Sequence, residues 1–228
     1  MAANFTETLK RLVSGYRQQQ PDFRASISSG SSGKHYAQIR QGAPFDLFFS
    51  ADDQRPADLV ASGHGQEESL FTYALGVLML WSLDPQRLPE DGLEVLRAGD
   101  FRRLAIANPR VAPYGTAAMA LLEREEISLS RGQLVTGQSL GQAFNFVVSG
   151  NAELGLVAAS QVIAYERQHP AGSRWTPTAE HYPEVRQQVV LLKNARHPEL
   201  ATVFLHWIRH DEQAHQILQE DGYALPAP

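Results

Sequence analysis

Phe5, Leu9, Leu12, Val13 and Tyr16 recur at the three- and four-residue spacing of a helix face. Asn4 and Glu7 stand where an N-cap and its partner three residues on belong. A helix is therefore expected over 5–20, ahead of Pro21. Phe23, Ala25 and Ile27 then alternate with polar residues, which predicts a short strand. After a serine- and glycine-rich segment at 28–33, a helix is expected over 34–41 and a dense apolar strand over 45–49. The pattern continues with a short helix at 56–62 and a long strand at 71–81. A strand at 103–107, a loop at 108–113 and a helix at 114–125 come next. Leu140, Ala143, Phe144, Val147 and Val148 form another helical face that ends at Gly150. A buried strand is expected at 154–158 with a helix after it, a second long strand at 184–192, and a helical tail over 198–220. Strands alternate with helices throughout, so the fold class is α/β with mainly parallel sheets.

Composition narrows this picture. The 228 residues carry a net charge of −5, and 43% are hydrophobic, so the chain has the make-up of a globular protein and enough length to bury a sizeable core. Cysteine is absent, which removes disulfides, thiolate metal sites and a cysteine nucleophile. Only Lys10, Lys34 and Lys193 are lysines, the arginines are scattered and no basic run appears, which argues against nucleic acid. The longest strongly apolar run, 69–83, is short of the roughly 20 residues a membrane span needs. No basic and then apolar leader opens the sequence.

Candidate chemistry concentrates in loops of one design, in which a strand ends, small hydroxyl or glycine residues follow and a helix begins. They are 2–4, 28–33 and 108–114. Helix N-termini at the carboxyl ends of parallel strands present unpaired N–H groups and partial positive charge, which suits an anion. Serine hydroxyls add donors without charge. Nucleotide motifs fail here: there is no G-x-G-x-x-G, and Lys34 is followed by His35 rather than by the serine or threonine of a P-loop. A serine hydrolase is not expected, since His35, His64, His169 and His181 have no carboxylate or serine at a diagnostic spacing. His206 and His210 are one helical turn apart, with His215 beyond. Among Arg209, Asp211 and Glu212 they read as a solvated helix face rather than a zinc site. Glu123, Glu125 and Glu126 read as the solvated end of a helix.

At these loops the residues resemble the periplasmic molybdate-binding proteins of ABC importers. The resemblance rests on SSGSSGKHYAQIRQGAPFDLFFSAD (28–52), IANPRVAPYGTAAMALL (106–122), SGNAELGLVAASQV (149–162) and the tail FLHWIRHDEQAHQILQEDGYALP (204–226). It implies a two-lobed type II periplasmic-binding-protein fold, with lobe I in 1–77 and 190–228, lobe II in 78–189, and crossing strands near 72–81 and 186–192. It also implies a binding protein, not an enzyme. Such a protein holds molybdate or tungstate between the lobes, needs no cofactor, acts as a monomer in the periplasm and passes the anion to a membrane permease. The ligand positions carried over are Ala3 and Asn4 in the first loop, Ser31 and Ser32 in the second, Tyr114 after the proline of A-P-Y-G, and Leu140 at the opening of a later helix. Asn4, Ser32, Tyr114 and Leu140 would contact the molybdate oxygens, none of them as a direct metal ligand. Tyr114 and Leu140 would do so largely through backbone N–H groups. Ala3 stands where some members carry a threonine, and Ala158 where some carry a contacting tyrosine. Residues 1–3 match only the end of the family's first strand, so a form extended by about eight residues is expected to be more stable. The alternatives are a receptor for another tetrahedral oxyanion such as sulfate, and an intracellular anion-sensing domain of the same fold.

Overall fold

A computed structural model describes residues 1–227. The chain divides into two compact units, Met1–Leu75 with Arg186–Pro228, and Gly76–Val185.

The first unit is a four-stranded sheet covered on both faces. Its strands are β1 (Leu47–Phe49), β2 (Phe71–Gly76), β8 (Val185–Leu191) and β9 (Tyr223–Ala224), in the order β1-β8-β2-β9. Strand alternation sends neighbouring side chains to opposite faces. Phe49 and Val189 join Phe5, just ahead of α1 (Thr6–Gln19), with Leu9, Leu12 and Tyr16 of α1 and Phe204, Trp207, Ile208 and Leu218 of α8 (Pro198–His210) and α9 (Glu212–Glu220). Phe48 and Val190 join Ile39 of α2 (Ser32–Arg40) and Leu59 of α3 (Gln54–Ala61) on the other face. Met1 and Ala2 run alongside β1. The Ala2 N–H donates to Phe49 O at 3.0 Å, the Gly30 N–H donates to Met1 O at 3.1 Å, and Ala2 and Gly30 form a parallel bridge.

The second unit is a five-stranded sheet in the order β5-β4-β6-β3-β7. Its strands are β3 (Leu78–Ser82), β4 (Leu104–Ala107), β5 (Leu134–Gly137), β6 (Leu154–Ala158) and β7 (Ser173–Trp175). Leu80, Leu104, Ile106 and Leu156 face α4 (Gly92–Ala98) and α5 (Pro113–Arg124). Met79, Trp81, Ala105 and Val157 face α6 (Leu140–Val148) and α7 (Ala159–Glu166), where the Trp81 and Phe144 rings stack at 5.0 Å. Pairing is parallel between β4 and both β5 and β6, and antiparallel between β3 and both β6 and β7. In the first unit β1 and β8 are antiparallel. The second sheet is mixed, with its parallel part in β5-β4-β6 and its antiparallel part in β6-β3-β7.

Several elements differ from the pattern-based expectation. The strand expected over 23–27 forms no ladder; the Met1–Ala2 segment bonds to the chain beyond it, at Ser28 and Gly30. The long strand over 71–81 breaks at Val77, whose carbonyl accepts from the Ala159 N–H at 2.9 Å as the chain passes from one sheet to the other. The tail helix breaks at Asp211, which is extended (ψ 132°) and caps α9 by accepting from the Gln213 N–H. Asn4 is not an N-cap: a 3-10 turn over Ala3–Phe5 precedes α1. α4, β5 and β7 were not expected. Asp91 at the N-cap of α4 and left-handed Gly99 at its C-cap were the legible signals for that helix.

Candidate functional site

In the first unit, two of the serine- and asparagine-bearing loops lie side by side. Residues 1–2 lead into the Ala3–Phe5 turn and 28–31 into α2. The β1 end beside them, 50–53, leads into α3. Helix geometry leaves the first N–H groups of each helix without an intrahelical acceptor. Ser31 is the N-cap of α2, its Oγ accepting from the Lys34 N–H at 3.2 Å. Ser32 opens the helix and is buried. Its Oγ accepts from the Ala51 N–H at 3.1 Å, which keeps its own proton available for donation toward an anion. Ser29 and Thr6 join the two loops, their hydroxyls 2.6 Å apart, and Thr6 also donates to Ala3 O at 2.8 Å.

Asn4 turns its carboxamide inward. Its Nδ2 donates to Gln187 Oε1 and to the Tyr223 hydroxyl, each at 3.3 Å, while the Tyr223 hydroxyl donates to Asn4 O at 3.0 Å. Behind them the Tyr73 hydroxyl lies 3.0 Å from Gln187 Oε1 and 3.1 Å from Ser50 O. Gln187 is fully buried.

His35 supports the second loop from beneath. Its Nδ1 lies 3.1 Å from Ser31 O, an acceptor, so Nδ1 carries the proton and Nε2 accepts from the Ser28 hydroxyl at 3.1 Å. Burial first, then the amino terminus and Lys34, push its pKa down, and the ring is held neutral. Arg55 approaches the α2 N-terminus, its Nη2 3.6 Å from where a Gly33 Cβ would stand, and it is paired with buried Asp52. The donors there are mostly neutral.

The second unit repeats the design. β4 and β5 end in register, Ala107 opposite Gly137, and α5 and α6 start beyond them. Pro113 and Tyr114 open α5, with Tyr114 almost fully buried. The loop before it is closed by Asn108, whose carbonyl accepts from Ala112 N–H and whose Oδ1 accepts from Arg110 N–H. Gly115 is pressed against the end of β4, so that a Cβ there would lie 2.3 Å from Ala107 O. Leu140, half-buried, opens α6 behind the N-cap Ser139. Ala158 ends β6 and offers no hydroxyl.

Residues 137–141 read G-Q-S-L-G, the frame of a hydrolase nucleophile elbow, and sit between a strand and a helix. Ser139 lacks the strained elbow conformation. Its backbone is extended (φ −145°, ψ 165°) and its Oγ accepts from the Gln142 N–H at 3.2 Å as a helix cap. The His206 and His210 rings are 4.5 Å apart on the exposed side of α8. His215 Nε2 lies 3.0 Å from Arg209 O. Among the described residues no group of three His, Asp or Glu could hold a metal, and no helix is long and apolar enough to cross a membrane.

The structure thus places Ala3, Asn4, Ser31 and Ser32 together on the first unit, and Tyr114 and Leu140 at neighbouring helix starts on the second. It adds Thr6, Ser29, His35, Gln187 and Tyr223 to the first group. Of these only the serine and threonine were legible as small hydroxyl residues next to a loop.

A sequence model of the bacterial extracellular solute-binding protein family matches residues 1–224. The molybdate-binding protein ModA of Rhodobacter capsulatus is 39% identical over 98% of this chain and 86% of its own. The structure of the Azotobacter vinelandii periplasmic molybdate-binding protein superposes with a TM-score of 0.89 at 38% identity, covering 99% of this chain and 97% of that one. The sulfate-binding protein SubI of Mycobacterium tuberculosis shares the fold, with a TM-score of 0.75 at 16% identity over 100% of this chain and 85% of its own.

Proposed function

We propose the function from this premise: the chain belongs to the bacterial extracellular solute-binding protein family. It binds molybdate, and tungstate with it, and delivers the anion to the permease of an ABC importer in the periplasm. It is a receptor and catalyses no reaction.

One observation carries this reading. The residues matched to the anion positions lie at helix N-termini beyond strand ends, and they offer N–H groups and hydroxyls rather than paired cations. A tetrahedral dianion has four oxygens and needs many donors. The first unit offers the Ser32 hydroxyl and the N–H groups of the 3–4 turn and the α2 start. The second offers the N–H groups that open α5 and α6. Neutral donors leave selection to oxygen spacing, and the longer metal–oxygen bonds of molybdate and tungstate distinguish them from sulfate. Phosphate carrying a proton would need an acceptor facing it, which a set of donors does not supply. The net charge of −5 does not oppose this, because backbone dipoles and hydroxyls do not enter a charge count.

Isothermal titration with molybdate, tungstate, sulfate and phosphate tests the reading. Tight binding of the first two, weak sulfate and little phosphate is the expected order. Sulfate binding as tight as molybdate would overturn the assignment.

A further inference from the structure

We infer that Tyr223 and Gln187 are positioning residues for the anion-binding turn at Asn4, an assignment that rests on the molybdate reading above. The turn at Ala3–Phe5 is three residues long and is closed by backbone bonds from the Phe5 N–H to Ala2 O and from the Thr6 N–H to Ala3 O. Such a turn has little stiffness of its own. Its orientation comes from the side chain of Asn4, which is gripped from two sides.

Tyr223 closes a two-bond ring with one residue: its hydroxyl donates to the Asn4 carbonyl at 3.0 Å and accepts from Asn4 Nδ2 at 3.3 Å. The ring fixes backbone and side chain of Asn4 together. Gln187 takes the second Nδ2 proton at 3.3 Å. Gln187 is held in turn by the Tyr73 hydroxyl, which also lies against Ser50 O at the end of β1. The amide of Asn4 is thus tied to β8, β9, β2 and the end of β1, four segments far apart in the sequence. The Tyr223 ring stands edge-on to Phe5 at 5.6 Å, so the hydroxyl is carried on a packed base.

A buried network of this kind holds a loop in one place only if every member is satisfied. For an anion site selecting by oxygen spacing, a displacement of a few tenths of an ångström matters more to fit than to folding. Tyr223 and Gln187 act through Asn4, which they hold directly, and Tyr73 acts through Gln187.

Tyr223→Phe removes the hydroxyl and keeps the ring. Gln187→Leu removes the acceptor and keeps most of the volume. Molybdate and sulfate titrations of the wild-type protein and both variants, with thermal melts of the ligand-free forms, test the assignment. In Tyr223→Phe the molybdate Kd should rise about tenfold, the scale of lost hydrogen bonds to a positioned group. The ratio of sulfate to molybdate Kd should also shrink, since a loosened turn discriminates size less well. Gln187→Leu should do the same, and if it melts early, the selectivity ratio measured below its melting temperature still reports on the turn. A wild-type protein that binds molybdate, with variants that bind it with unchanged Kd and unchanged selectivity, refutes the positioning role. A uniform loss of melting temperature with unchanged selectivity does so too. A wild-type protein that ignores molybdate overturns the functional reading first, and this assignment with it.

Discussion

The imidazole of His35 fills the space beside Gly30, where a Cβ would stand 2.8 Å from its Cε1. The contact leaves room for glycine alone, and it seats a ring that bonds to both Ser28 and Ser31 in the loop above. Gly30→Ala must therefore shift His35 or the loop. Overpacking of this kind costs about 1–3 kcal/mol. Urea unfolding of the variant should show that loss, and its molybdate Kd should rise because the α2 start moves with the loop. A variant with wild-type unfolding and wild-type affinity would show that the ring yields freely.

Acidification should act through the same ring. Burial lowers the pKa of His35 from its ordinary 6.5, so the unfolded chain takes up a proton that the folded one refuses. Stability from this residue is complete above pH 6.5, rises with pH through the window just below it, and falls as the pH drops toward the folded pKa. Stability measured between pH 7.5 and about 5 should decline in the wild type, and His35→Gln should flatten that part of the slope. An identical slope in both proteins would assign the acid sensitivity elsewhere.

Adjacent serines should separate by function. Ser32→Ala removes the hydroxyl proposed to meet the anion and strands the Ala51 N–H, so molybdate binding should weaken by roughly 1–3 kcal/mol. Ser31→Ala removes a helix cap and should cost about 1 kcal/mol of stability, with a smaller change in affinity. Calorimetric titration beside thermal melts gives both quantities, and the reverse pattern would reassign the contact to Ser31. Asn4→Ala should weaken molybdate binding on the scale of Ser32→Ala, since it releases Gln187 and Tyr223 together.

Two glycines in the second unit form a matched pair. At Gly115 an added Cβ would collide with backbone, 2.3 Å from Ala107 O, whereas at Gly141 it would meet only Ser139 Oγ at 3.8 Å. Gly115→Ala should therefore destabilise the unit by about 3 kcal/mol or prevent its folding, and Gly141→Ala should be close to neutral or slightly stabilising in a helix. Soluble yield and melting temperature of the two variants decide between this and a tolerant α5 start.

A cavity of about 520 Å³ in the first unit is lined by Leu9, Phe23, Ile27, Phe45, Leu47 and Phe49 among others, and Met1 stands at its edge. The Met1 amino group donates to Ser28 O at 2.8 Å, in the ladder direction. An engineered segment of about six alternating apolar residues fused ahead of Met1 would enter this cavity, with residues 23–28 on one side and Leu47, Phe48 and Phe49 of β1 to lie against. Its melting temperature should exceed that of the unextended chain by several degrees. Equal melting temperatures would show that the cavity does not accept a strand.

Much of this architecture was legible in the residues. The amphipathic face of α1, the apolar runs of β4 and β6, and the small-residue loops that open α2 and α5 all follow from local periodicity and turn chemistry. Illegible were the elements whose identity depends on a distant neighbour. The alternation at 23–27 suits a strand, yet a strand exists only where a partner completes its ladder. The run at 71–81 is apolar apart from Thr72 and Gly76, and a lone glycine does not say that one sheet gives way to the next at Val77.

Sequence by itself determined that strands and helices alternate, that neutral donors gather at helix starts, and that no thiol chemistry is available. Tertiary structure alone decided what those donors are held by. Asn4 reaches partners 183 and 219 residues away, and its carboxamide, which local spacing assigns to a helix cap, is instead the anchor of its turn. His35, with no diagnostic neighbour in the chain, becomes the support of the α2 loop because folding removes it from water and leaves it two acceptably placed oxygens. The physical reason is common to both. A polar side chain commits to whichever partner the closed topology brings within hydrogen-bond reach once water is gone, and local sequence does not contain that choice.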